Sequence, residues 1–320
     1  MIKALLLAAL PPFLSVPLRR LMGAKIAGTA RIGWLSIVAV EHMAMDEHAT
    51  IARFAVVRAR HLTMGRHTLV KAFALISAHT VILGESVHIA PLAVIHATTA
   101  LAKSRITIGD HSRIFPFCWI EPGEGIEIGK QVGIGGHNLI FTHGAWSDYL
   151  RGGPVGYGPV KIEDNVWLPW RVSILTGVTV GANSIIMSGS VVTRSIPPNV
   201  IAGGSPAKVI KEGGAAGLDD ESSRKRAREI LDAFAEWHTE ARSTPPRHKI
   251  ALDDSTGLGQ GDLLFAVTQR FDSAAVQALV ARGVSIVDHS TLTFHRASGE
   301  EYLDDFREFI RRYGIRVYLR

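Results

Sequence analysis

The chain has 320 residues, of which 47% are hydrophobic, 20% charged and 7% aromatic. That length suits about two domains with a sizeable core, and the apolar share excludes a disordered chain. With 35 Lys and Arg against 29 Asp and Glu the net charge is +6, compatible with an anionic partner but too mild to imply nucleic acid. Cys118 stands alone, so intrachain disulfides and Cys-rich zinc sites are excluded and a reducing, cytoplasmic setting is expected.

Residues 1–23 form the first segment. Its apolar run from Ala4 to Leu10 is interrupted by Pro11 and Pro12, and it is far shorter than the roughly 20 residues of a membrane-spanning helix. Lys3 ahead of an apolar run has the look of a signal peptide, yet no convincing small-residue cleavage site precedes Arg19. The segment reads as an apolar or amphipathic element that packs on the protein. Peripheral membrane contact is the second reading and export the third.

Next comes a repeat. MDEHATI from Met45, MGRHTLV from Met64 and LGESVHI from Leu83 begin 19 residues apart. Within and beyond them an aliphatic residue recurs every six positions: Ile108, Ile114, Ile120; Ile128, Ile134, Ile140; Ile162, Leu168, Ile174; Val180, Ile186, Val192. A small residue, often Gly, commonly follows. Period six is neither helical nor a plain alternating strand. It reads as short strands that turn a corner every six residues, three strands closing one triangular coil. The aliphatic residue points inward and the small one sits at the corner. Residues 24–210 then hold about nine coils, a prism roughly 40 Å long at the ordinary strand spacing of about 4.8 Å.

The segment IEDNVWLPWRVSILTGVTVGANSIIMSGSVVTRSIPPNVIAGGSPAKVI, from Ile162 to Ile210, resembles the hexapeptide-repeat acyltransferases, among them sugar O-acetyltransferases and xenobiotic acetyltransferases. The resemblance covers residues 24–212. It implies a mainly β fold, a left-handed parallel β-helix, a hand that periodicity alone does not reveal and that breaks the usual crossover rule. It also implies CoA-dependent O-acyl transfer, most simply from acetyl-CoA to a hydroxyl of a sugar or polysaccharide precursor, in a homotrimer with sites between neighbours.

The six-residue rhythm breaks in the carboxyl half between Ile140 and Ile162, where the chain throws out a loop, and long loops on rigid scaffolds concentrate function. His143 stands at its root. In similar acetyltransferases a His followed by an outward loop is the general base, and this residue matches that pattern. Glu121, Glu124, Glu127 and Asp148 are the candidates to orient its ring. The resemblance further implies cofactor contacts at Trp167, Ser188, Thr193, Arg194, Lys208 and Lys211, the cations suiting the phosphates of coenzyme A. Cys118 could be imagined as a nucleophile, but a packed small side chain is the simpler reading. Where the family has Trp-Ile-Gly and a small residue, this chain has Trp167-Leu168-Pro169-Trp170, and Trp170 is expected to reshape the thioester end of the tunnel. Residues 117–123 depart from the galactoside and maltose enzymes, so their sugar specificity does not carry over.

Two other classes remain open. A γ-class carbonic-anhydrase-like enzyme needs zinc held by three histidines, two of them five apart. Here the close pairs His42/His48, His61/His67 and His137/His143 are six apart, on neighbouring corners of one coil, so no metal site is expected. A non-catalytic scaffold is the third reading.

After Lys211 the rhythm stops, and residues 213–320 read as an appended α+β domain of unknown role. Its expected elements are a helix over 219–241, a strand over Leu263–Gln269, a helix over Asp272–Arg282, and strands over Ser285–Asp288 and Thr291–His295. A helix opened by the capping box Ser298-x-x-Glu301 and a last strand over Arg316–Leu319 follow. The order βαββαβ suggests a ferredoxin-like arrangement. The Gly-rich run Thr256–Gly261 follows no expected strand and reads as a loop. The charge divides unevenly, +8 over 1–214 and −2 over 215–320, so the basic excess lies in the repeat region.

Overall fold

A computed structural model of the chain describes residues 2–98, 101–145, 148–214, 217–245 and 248–319. Trp146 of the loop and Pro246 beyond the helix at 219–241 therefore lie outside the described residues. The chain divides into two compact units, Met1–Ala216 and Gly217–Arg320.

The first unit is a parallel β-helix, in keeping with the left-handed architecture that the resemblance implies. Each coil contributes one short strand to each of three faces. The first face stacks nine parallel strands, from Arg31–Ile32 to Val200–Gly204, and an antiparallel return strand, Ala207–Glu212, closes it. The second and third faces join in one 14-stranded sheet, because Ile37–Met45 and Val56–Met64 run unbroken round the edge between them. Register puts like over like: Ile51 pairs with Val70, and Val70 with Ile89. Each of these side chains is buried, contributing about 1.5–3 kcal/mol by leaving water. The six-residue pattern is thus the column structure of the core.

At the corners the glycine after the aliphatic residue is not the left-handed one. A Cβ at Gly65 would lie 2.7 Å from the backbone of Gly84 in the next coil, so that position is glycine for close approach. The left-handed residue comes two positions later and is often large: Leu35, Phe54, Phe73, Leu92 and Phe117 line one edge with φ of 61–62°. Another edge uses Asn165, Asn183 and Asn199, whose side chains tolerate this region. Their amides bond coil to coil, Asn165 Nδ2 donating to Asn183 Oδ1 at 3.1 Å and Asn183 Nδ2 to Asn199 Oδ1 at 3.0 Å.

The N-terminal segment forms two short helices, α1 (Ile2–Ala9) and α2 (Pro12–Leu21). Pro12 opens α2 at the first helical position, where a missing N–H costs nothing. Ala4, Leu7 and Ala8 are buried, and Leu35 N–H and Trp34 Nε1–H donate to Ala8 and Ala9 carbonyls. Among the described residues no helix is long and apolar enough to cross a membrane.

The second unit corrects the ferredoxin-like expectation. Its five-stranded sheet runs in chain order: Ile250–Leu252, Leu263–Ala266, Ser285–Asp288, Thr293–His295, Tyr318–Leu319. The pairings are parallel, parallel, antiparallel and parallel. The strand at 250–252 has only three residues and no readable alternation, and its parallel pairing excludes the split arrangement. The Gly-rich run lies in the loop after it. The expected strand to Gln269 stops at Ala266 because the N–H groups of Val267, Thr268 and Gln269 turn to the Asp253 carboxylate at 2.6, 3.0 and 3.2 Å. Helices α3 (Asp220–Arg242), α4 (Ser273–Ala281) and α5 (Glu301–Ile310) accompany the sheet. The expected capping box fails: α5 starts after Glu300 with no side-chain cap, and Ser298 Oγ is buried without a partner among the described residues.

Candidate functional site

The loop expected between Ile140 and Ile162 leaves the prism at the edge between the second and third faces. It follows the strand Leu139–Phe141 and rejoins at Val160–Ile162. Its root is an antiparallel pair in which His143 lies opposite Tyr157 and Gly144 opposite Gly156. The His143 and Tyr157 rings stack with centroids 6.4 Å apart. A hairpin bonded this way fixes the His143 backbone on a strand and not on a free loop.

Of the four carboxylates considered, Glu121 holds the ring. It ends the strand Trp119–Glu121 one coil earlier, and parallel register sets it opposite Phe141. Its Oε2 lies 2.8 Å from His143 Nδ1. The same carboxylate accepts from Thr142 Oγ1 at 2.8 Å, Gly123 N–H at 3.1 Å and Thr98 N–H at 3.2 Å. Burial pushes the Glu121 carboxyl up, but the donors at Thr142, His143, Thr98 and Gly123 outweigh it and hold the group below its ordinary range. An ionised Glu121 accepts from Nδ1–H, and that tautomer carries its lone pair on Nε2. The Glu121 side chain is 4% exposed and that of His143 33%, so the carboxylate is shielded and the imidazole open to solution. The other three are engaged elsewhere or distant: Glu124 pairs with Lys103, Asp148 accepts from Leu150 N–H, and Glu127 sits in the strand Ile126–Ile128.

The sequence-derived cofactor contacts do not converge on His143 within one chain. Thr193 and Arg194 lie on the same edge as His143, two coils further along. Trp167 is on the first face, paired with Gly133, its ring against Phe115 at 6.2 Å. Ser188 is on the edge between the first and second faces. Lys208 and Lys211 lie on the closing antiparallel strand. Arg194, Lys208 and Lys211 are exposed and have no ion pair among the described residues, which fits a phosphate-bearing ligand. The Trp170 ring, about half exposed, overlies Gly136, where a Cβ would collide with it, and lies 5.8 Å from the His137 ring.

Cys118 is buried, donates to the Gly135 carbonyl at 3.0 Å, and burial pushes its thiol up to about 11. That is a packed side chain and not a nucleophile. The histidines pair between coils, His42 over His61 and His48 over His67, each with centroids 4.9 Å apart. Among the described residues no three His, Cys, Asp or Glu gather into a metal set. Sequence reasoning did not find Thr98 and Thr142, whose role appears only once adjacent coils are stacked.

No family model matches the chain. It is 34% identical to the galactoside O-acetyltransferase of Escherichia coli K12 over 128 residues, 33% of this chain and 63% of that protein. A putative acetyltransferase of Saccharomyces cerevisiae is 43% identical over 111 residues, 34% of this chain and 57% of that one. A solved hexapeptide-repeat acetyltransferase of Vibrio cholerae, complexed with acetyl coenzyme A, is 29% identical with a TM-score of 0.34, covering 48% of this chain and 70% of that one. The chain spans about half the length of the curated relatives it matches, between 43% and 63% for the first three. By its six-residue repeat, its coil register and its curated matches, the β-helical unit is similar to the hexapeptide-repeat acyltransferases.

Proposed function

We propose that the chain is an O-acyltransferase that moves an acetyl group from acetyl-CoA to a hydroxyl of a sugar or polysaccharide precursor. The observation that carries this reading is the hydrogen bond between His143 Nδ1 and the buried Glu121 carboxylate at 2.8 Å. Nε2 of His143 takes the proton of the acceptor hydroxyl. As that oxygen bonds to the acyl carbon, the thioester C–S bond breaks, and the imidazolium returns its proton to the departing thiolate. Acetyl-CoA supplies the activated acyl group. General-base help of this kind is worth about 10²–10⁴-fold.

Trp167, Ser188, Thr193, Arg194, Lys208 and Lys211 are assigned to the coenzyme. Because Trp167 and Ser188 stand away from the His143 edge, a complete site draws them from a neighbouring copy, which supports the homotrimer. The curated relatives named as acetyltransferases support the activity class. The test is release of free thiol from acetyl-CoA with free and nucleotide-linked sugars as acceptors. Acceptor-dependent release is expected, and its absence across sugars and acyl lengths would leave the scaffold reading in its place.

A further inference from the structure

Helix α2 is turned the wrong way round for a helix on a water-facing surface. It buries Ser15 and Arg19 against the protein and exposes Phe13, Leu14, Leu18 and Leu21. A surface helix normally does the reverse. Arg19 Nη1 donates to the Val38 carbonyl at 2.9 Å while its Nε stays buried without a partner among the described residues. Helix α1 adds Ile2, Leu5 and Leu6 to the exposed set. These side chains are too many and too close in sequence to be the scattered apolar residues of an ordinary surface.

The charge around them has one sign. The first acidic residue of the chain is Glu41, and Lys3, Arg19, Arg20, Lys25 and Arg31 precede it. A cleft of about 700 Å³ opens between α2 and the first coils, lined by Phe13, Trp34, Arg20, Arg31 and Arg53 with no carboxylate on its walls. Trp34 is half exposed there. Exposed Leu and Phe, one interfacial Trp and unopposed Arg are the chemistry of the boundary between anionic headgroups and acyl chains. Helices of 8 and 10 residues are too short to cross and long enough to lie in that boundary.

We propose that helices α1 and α2 and the adjoining cleft are a docking surface for an anionic lipid bilayer. The apolar side chains enter the headgroup–acyl boundary while Lys3, Arg20, Arg31 and Arg53 meet lipid phosphates. This surface is separate from the His143 edge, so it stands or falls independently of acyl transfer.

The test is cosedimentation of the full chain with vesicles of phosphatidylcholine alone or with about 30 mol% phosphatidylglycerol. Binding is expected to the anionic vesicles, to weaken as salt rises from about 0.1 to 0.5 M, and to fall by about tenfold or more in the double variant Leu6→Ser/Phe13→Ser. Arg31→Gln/Arg53→Gln is expected to lose the salt-sensitive part. Circular dichroism checks that both variants stay folded. A wild-type chain left in the supernatant with either vesicle overturns the proposal. So does a folded Leu6→Ser/Phe13→Ser chain that pellets like wild type. A chain that ignores vesicles but loses a higher oligomer on that double substitution would make the surface a contact between copies, which also overturns it.

Discussion

Glu121 and His143 are 22 residues apart in the chain, yet Oε2 of one lies 2.8 Å from Nδ1 of the other. The carboxylate is buried and held by three further donors, so it can fix one ring orientation without itself being reshaped by solvent. Glu121→Gln keeps the size of the side chain and removes the charge. It is expected to lower kcat by about 10²-fold with the KM for acetyl-CoA little changed, read by steady-state thiol release. A fall in acyl-donor affinity with intact kcat would place Glu121 in binding instead.

The three exposed cations make a separate prediction about the coenzyme. Replacing Arg194, Lys208 and Lys211 together by Gln is expected to raise the KM for acetyl-CoA by about tenfold or more, with a smaller effect for a dephosphorylated donor. The wild-type KM is expected to rise with salt, since exposed charges are screened. A KM that ignores both changes would return these residues to ordinary surface.

His88 predicts how stability depends on pH. It lies on the first face between Leu69 and Arg113. Burial, then Arg113 and Lys71, push its imidazole down to about 4, and its Nε2 is buried without a partner among the described residues. The folded state therefore binds this proton less readily than the unfolded chain. The stability that neutral His88 contributes is complete above about pH 6.5 and is lost as pH falls from there towards 4. Glu121, held below its ordinary range, adds a loss of the same sign at lower pH. Thermal unfolding at stepped pH is expected to show a flatter curve over 6.5–4 for His88→Gln than for wild type.

Two glycines separate crowding that can relax from crowding that cannot. A Cβ on Gly133 would lie 2.5 Å from the half-buried ring of Trp167, and one on Gly136 would meet the ring of Trp170, 51% exposed. Gly133→Ala is expected to cost about 1–3 kcal/mol and to change tryptophan fluorescence. Gly136→Ala should cost less, because the exposed ring can swing outward. Equal losses in denaturant titrations would contradict this.

The prism was legible because every sixth side chain enters one shared core, so Ile51, Val70 and Ile89 announce their column in the sequence itself. The position of His143 at the root of the loop was legible because a loop that breaks that rhythm has to leave the scaffold. The choice of Glu121 over Glu124, Glu127 and Asp148 was not, since it depends on which residues of adjacent coils come opposite, and coil length changes at just that point. The bulky left-handed corners, Phe54 and Phe73 among them, run against local preference. The stacking of one ring on the next, Phe54 on Phe73 with centroids 5.3 Å apart, holds them, and that is not a local property of the sequence. In the second unit the strand at 250–252 is three residues long, and its parallel pairing decided the topology.

The most direct measurement compares wild type with His143→Ala in acceptor-dependent thiol release from acetyl-CoA. The account predicts release by the wild type and a loss of about 10²–10⁴-fold in kcat in the variant, with the fold and oligomeric state unchanged. A folded His143→Ala enzyme that releases thiol at the wild-type rate would contradict it.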